Sequence, residues 1–384
     1  MKNQIYHTGN TFILDTNEPK PRKGTLPAYQ IMHKDKVVAS ISSRGEVEIY
    51  DEQFMPYNLY LEEGYDFDIL FNNARVFEHW CANRVLTLDR VYAKEILNSI
   101  GATQNPTDRD RASISLSCHC VSLTDVHWVR EEGENITFDK LNLFDNSLSE
   151  SVVDLTLKGK PLTVTNLELV PSRDLAPDLS TRGMFPKAWV RQDNTFYLLK
   201  DGGYDSVRRE FLASQICQCF DIPQVIYQLS EYDGQQVTKS RIITSKDFSI
   251  SPMVANQDID YIGEAIRLDP ITYYGMNILD YLTGNIDRHW ENWGFLVNNT
   301  TNERISLHPL IDFNKCFSAY NNLDGTICQT VEPRKLSQRQ AAIEAVQAIG
   351  LPQLREVDLS IFGDHTEEAD MFCQRLAELK RFAK

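Results

Sequence analysis

Apolar residues along this 384-residue chain recur in two rhythms, and changes of rhythm mark the elements. Near the start, Tyr29-Gln30-Ile31-Met32-His33 and Val37 to Ile41 flank a Lys34-Asp35-Lys36 turn. Glu46-Val47-Glu48-Ile49-Tyr50 alternates apolar with polar, so three strands are predicted here. Helices are predicted over Ala74 to Arg84 and Asp89 to Ser99, a polar loop over Thr103 to Asp108, and a strand around Ser113 to Ser117. The run Ser122-Leu123-Thr124-Asp125-Val126-His127-Trp128 sets a hydroxyl, a carboxylate and an imidazole close together. It reads most simply as a turn leading into a strand anchored by Trp128.

A polar stretch from Asn146 to Ser151, continuing to about Ser172, marks a boundary. Beyond it, Ala188-Trp189-Val190, the turn Arg191-Gln192-Asp193-Asn194 and Thr195 to Lys200 form a predicted hairpin ending on a lysine. A helix opens at Asp205 and runs to about Phe220, with Val207, Phe211 and Ile216 on its apolar side and Glu210 near that inward face. Asp269 caps a further helix with Pro270 at its first position, Ile271, Tyr274, Ile278 and Leu282 along one face, and Gly284 past its end. Trp293 to Val297, the polar turn Asn298 to Asn302, and Arg304 to Leu307 make a second hairpin. After Pro333 come a helix from Ser337 to Ile349, stopped by Gly350, and a last helix to Phe382. Asp364 and Glu367 are the expected cap and reciprocal partner of that last helix.

Composition narrows the class. Net charge is -15, which argues against a surface built for direct nucleic-acid contact or an anionic membrane. Nowhere do about eighteen apolar residues run together, and the N-terminus lacks a signal-peptide core, so a soluble, cytoplasmic protein is expected. The cysteines include Cys118-His119-Cys120 and Cys217-Gln218-Cys219 but no C-x-x-C pair, so neither a disulfide scaffold nor a zinc site is predicted.

The chemistry concentrates in Gly284-Asn285-Ile286-Asp287-Arg288-His289-Trp290-Glu291-Asn292 and Leu310-Ile311-Asp312-Phe313-Asn314. Phosphoryl transfer from ATP needs one carboxylate to take or orient the proton of the attacking hydroxyl, and oxygen ligands to hold Mg²⁺ against the phosphates. Asp287 fits the first role, and Asn292 and Asp312 the second, because the hairpin between them returns the chain to its start. Upstream, Lys200 at a strand end and Glu210 on the next helix have the order of the lysine–glutamate pair that positions nucleotide phosphates. Ser180-Thr181-Arg182-Gly183-Met184-Phe185-Pro186-Lys187 supplies hydroxyls, a glycine and a cation that could cradle an anion.

Together these segments resemble the HipA-like kinases, bacterial Ser/Thr kinases distantly akin to phosphatidylinositol kinases. The resemblance covers roughly residues 170 to 322. It implies an α+β, bilobal kinase-like fold, with a small lobe at 170–250 and a mainly helical large lobe at 251–384, while residues 1–155 read from their own pattern as a mixed α/β region of no assigned role. It also implies that Asp287 is the catalytic base, that Asn292 and Asp312 hold Mg²⁺, and that Lys200, Glu210, Ser180, Gly183 and Lys187 surround ATP; His289, the second catalytic candidate, either supports that loop or packs structurally beside Trp290. Ser180, or failing that Thr181, becomes a candidate autophosphorylation site. A protein substrate and a helix-turn-helix antitoxin partner in a toxin–antitoxin pair are the expected associates. Phe185 stands where the family has Gln, and Asp287-Arg288-His289 repeats the wording of lipid kinases. A lipid or small-molecule kinase, or a weakly catalytic nucleotide-binding module acting through partners, are therefore the alternatives.

Overall fold

A computed structural model describes residues 28–84, 107–146, 186–256 and 260–383. The predicted helix from Asp89 to Ser99, most of the boundary segment, and Ser180 to Phe185 lie outside the described residues, as therefore do Ser180, Thr181 and Gly183.

The N-terminal region contains strands β1 (Ala28–His33), β2 (Lys36–Ser42) and β3 (Val47–Ile49), then helices α1 (Phe67–Ala82) and α2 (Asp108–Ser117), strand β4 (His127–Glu131) and the short helix α3 (Phe138–Leu141). Its antiparallel sheet runs β3-β2-β1-β4. Ile31, Ala39, Phe77 and Trp80 form the core between this sheet and the helices. The strand expected around Ser113 to Ser117 is instead the end of α2. Thr107 and Asp110 close a capping box, and Arg111, Ala112 and Ser115 recur at helical spacing on the buried side. The alternation of Ile114 and Leu116 imitated a strand only because a single polar position, Ser115, happened to separate them. Helix α1 also starts seven residues before the predicted Ala74, because Asp66 caps it.

The second antiparallel sheet contains β5 (Lys187–Gln192), β6 (Thr195–Lys200), β7 (Tyr227–Tyr232) and β8 (Gln235–Arg241), in the order β5-β6-β8-β7. The predicted first turn tightens to Asp193 and Asn194, both at positive φ, as a two-residue hairpin turn requires. Helix α4 (Gly203–Cys217) packs against β7 and β8. A third sheet, β11-β10-β9, pairs β9 (Phe248–Pro252) with the hairpin of β10 (Gly294–Asn298) and β11 (Glu303–Leu307).

The remaining helices are α5 (Tyr261–Leu268), α6 (Pro270–Thr283), α7 (Gln338–Ile349) and α8 (Thr366–Lys380). Helix α6 is buried nearly all round, with Met276, Leu279, Tyr281 and Leu282 in the largest core. A helix apolar on every side belongs inside a core, each such side chain contributing about 1.5–3 kcal/mol. Asp269 caps it as predicted, and Gly284 ends it at φ 60°, where an added Cβ would strike the Tyr320 ring. The last helix departs from expectation: it begins at Thr366, and Asp364 does not cap it.

Candidate active site

Strand β6 delivers Lys200 to a buried position, and the inward face of α4 presents Glu210 to it. Lys200 Nζ lies 2.5 Å from Glu210 Oε1 and 2.9 Å from Asp312 Oδ1. Thr238 Oγ1 on β8 donates to the other Glu210 oxygen at 2.5 Å. One ammonium thus joins the helix-borne Glu210 to a loop more than a hundred residues away. Burial opposes charge on Asp312, but the Lys200 and Lys187 cations outweigh it and hold its pKa at about 2. Burial raises the Glu210 carboxyl, with Lys200 opposing.

Asp312 follows β11 at φ 58°, an uncommon conformation for a residue with a side chain and one that recurs at functional sites. Its backbone N–H donates to the Tyr227 hydroxyl at 3.1 Å, which fixes the turn. Asn292 donates its side-chain N–H to the Asp287 carbonyl at 2.7 Å, leaving the amide oxygen as the group it can offer a cation. Asp287 is half-buried, and burial raises its carboxyl, with Asp312 adding to the effect. His289 turns Nδ1 to accept from the Glu291 N–H at 3.2 Å. Asp287, His289, Asn292, Asp312, Lys187 and Lys200 all line one cavity of about 390 Å³, within the range of small-ligand sites.

The oxygen donors fit a hard divalent cation such as Mg²⁺. Beside Asp287, Asn292 and Asp312, the cavity is lined by Asn314, whose buried Oδ1 has no hydrogen-bond partner among the described residues. A buried amide oxygen left so is the kind of atom that a bound group normally satisfies.

Two sets of residues here were not anticipated. Arg288 is buried and grips Asp280 of α6 through two bonds of 2.9 and 3.0 Å, while also donating to the Asn292 carbonyl at 3.0 Å and to the Ile311 carbonyl. It therefore ties the loops that hold Asn292 and Asp312 to the core helix. The legible signal was Asp280 itself, a carboxylate within Ile278-Leu279-Asp280-Tyr281-Leu282, which buried needs a cationic partner. The second set comes from the N-terminal region: Arg84, Thr124 and Asp125 line the same cavity. Their loop is docked by Ile250 N donating to the Thr124 carbonyl at 3.0 Å and Thr244 Oγ1 to that of Leu123 at 2.5 Å. The local hydroxyl, carboxylate and imidazole are used structurally: Asp125 pairs with Arg84 at 2.8 Å, and His127 Nε2 donates to the Phe54 carbonyl at 3.0 Å.

The depressed Asp312 carboxyl carries a pH prediction. A group held below its usual 3.8 contributes stability that is complete above that value and is lost as pH falls toward about 2. Asp312→Asn should therefore flatten the acid limb of the stability curve between pH 4 and 2, measured as urea midpoints against the parent chain. An unchanged limb would mean that Asp312 is not charge-paired.

No protein-family model matches the chain, and no curated protein does. Among solved structures it is similar to a Helicobacter pylori proinflammatory kinase, CtkA, at 15% identity over 51% of this chain and 90% of that one, with a TM-score of 0.39. It is also similar to a chain of the Shewanella oneidensis MR-1 toxin–antitoxin complex of HipA, HipB and operator DNA. That match has 11% identity over 93% of this chain and 91% of the other, with a TM-score of 0.49. Both likenesses are distant, and the residues themselves carry the case for function.

Proposed function

We propose that the chain is an ATP- and Mg²⁺-dependent kinase that transfers phosphate to Ser/Thr hydroxyls of a protein, with the nucleotide between the β5–β8 sheet and the Asp287 and Asp312 loops. The observation that carries this reading is the buried Lys200 shared by Glu210 and Asp312 on the wall of a cavity that also holds Asp287 and Asn292. Lys200 would meet phosphate oxygens, with Glu210 fixing its position. Asn292 and Asp312 would hold Mg²⁺, which when bound neutralises charge on the transferring phosphoryl group. Asp287, its carboxyl raised by burial toward the range of a working base, would accept the proton of the acceptor hydroxyl. Lys187 adds a further cation to the cavity wall. Radiolabelled ATP with Mg²⁺ and a lysate, followed by phosphoamino-acid analysis, tests the reading: label in lipid or small molecules instead of protein would favour the alternative acceptors.

Lys200 and Glu210 should act as a unit. Lys200→Ala should raise the nucleotide KM and lower kcat, and Glu210→Ala should do the same more mildly. The double variant should lose less than the sum of the two, since both act through one contact. Fully additive losses would separate Glu210 from the phosphate site.

Regulation by phosphorylation of Ser180, or of Thr181, belongs to the same proposal and rests on the motif around Gly183. A phosphate there adds roughly -1.5 to -2 charges, which would repel a nucleotide triphosphate. Peptide mass spectrometry after incubation with ATP and Mg²⁺ should find the modification, and Ser180→Asp should be slower than the parent chain. An active protein unmodified at both residues, with Ser180→Asp at full rate, would remove this part. A helix-turn-helix antitoxin partner is proposed likewise, to be sought by co-purification with the product of a neighbouring reading frame.

A further inference from the structure

Helix α4 is held from two sides. Glu210 faces the sheet, where it meets Lys200 and Thr238. Arg208 lies two residues earlier, and at 3.6 residues per turn points about 200° away round the helix. It reaches α8, where its two terminal nitrogens meet the two carboxylate oxygens of Glu368 at 3.0 and 2.8 Å. Only 15% and 16% of these side chains are exposed.

The far end of this fork is itself anchored. Phe372, Leu376 and Leu379 set α8 into the large core, and the buried Arg375 donates to the Tyr281 carbonyl of α6 at 2.5 Å. Next along α4, Arg209 donates to Ser318 Oγ at 3.2 Å, a few residues past Asp312. Helix α4 therefore has a polar grip on each flank, one toward the sheet and one toward the helices.

A planar, bidentate and largely desolvated pair differs from an exposed ion pair. It contributes little net stability, because removing two charges from water offsets their attraction, but it fixes distance and orientation closely. We propose that Arg208 and Glu368 are positioning residues whose fork sets the roll and depth of α4, so that Glu210 is presented to Lys200. Through it the C-terminal helix governs the nucleotide-positioning pair, an inference that rests on the kinase reading of Lys200 and Glu210.

The test uses the full chain with Arg208→Glu, Glu368→Arg and the charge-swapped double variant. Two quantities are read: affinity for a fluorescent ATP analogue with Mg²⁺, and hydrogen–deuterium exchange of peptides from residues 203–217. Each single variant should bind the analogue about tenfold more weakly and lose protection in α4, and the double variant should regain most of both. Folded single variants with parental affinity and protection, or a double variant showing the summed losses, would overturn the proposal. Glu368→Gln, which keeps the shape and one acceptor, guards against unfolding by charge reversal and should show a partial loss in both quantities. If the parent chain bound no nucleotide, the kinase reading would fail, while exchange in α4 would still decide whether the fork positions the helix.

Discussion

Asp287→Ala and Asp312→Ala should each slow phosphoryl transfer by about 10²–10⁴-fold while leaving the chain folded. Among the described residues the Asp287 carboxylate accepts no hydrogen bond, so its removal takes away a proton acceptor and little else. Asp312 differs, because it is one of two carboxylates on Lys200. Its loss leaves the lysine paired with Glu210, so the fold should survive. The nucleotide, however, loses a metal ligand, and Mg²⁺-dependent binding should weaken along with the rate. Asp287→Ala should keep that binding. Initial rates and titrations with an ATP analogue, with and without Mg²⁺, distinguish the two roles. Near-parental turnover in either folded variant would remove it from the site.

A second large effect should follow from Arg288→Ala. This side chain is 2% exposed and supplies donors to Asp280, Asn292 and Ile311. Its deletion leaves a buried carboxylate without its cation, a change that typically costs about 3–5 kcal/mol. Asn285 still donates to Asp280 at 3.0 Å, which offsets part of that loss. Chemical denaturation should show the destabilisation, and the surviving folded protein should transfer phosphate poorly, because the loops of Asn292 and Asp312 lose their tie to α6. Arg288→Lys should not rescue either property, since an ammonium on a flexible stem cannot reproduce the planar fork. A folded, active Arg288→Lys protein would show that charge alone suffices there.

Much of the site was legible because it is built from local grammar. Asp269, Pro270 and Gly284 mark both ends of α6, and the loop after it holds Asp287 and Asn292 a fixed few residues on. The β10–β11 hairpin announces itself by its polar turn and explains how Asp312 returns to Asn292. Lys200 at a strand end and Glu210 on the buried face of α4 follow from alternation and helical spacing. Contacts between distant segments left no such mark. The Thr244–Leu123 and Arg208–Glu368 bonds join residues 121 and 160 positions apart, and neither partner carries a local signature. Helix α2 was misread for a related reason: its apolar signal is weak, and a capping box at Thr107 outweighed the alternation of Ile114 and Leu116.

The central claim is that the cavity around Lys200, Asp287 and Asp312 transfers phosphate from ATP to a protein hydroxyl. Incubation of the purified chain with γ-labelled ATP, with and without Mg²⁺, beside Asp287→Ala tests it most directly. The account predicts Mg²⁺-dependent label on serine or threonine, in this chain or in a lysate protein, that is absent from the variant. No Mg²⁺-dependent ATP binding and no label in any acceptor, from a correctly folded parent chain, would contradict it.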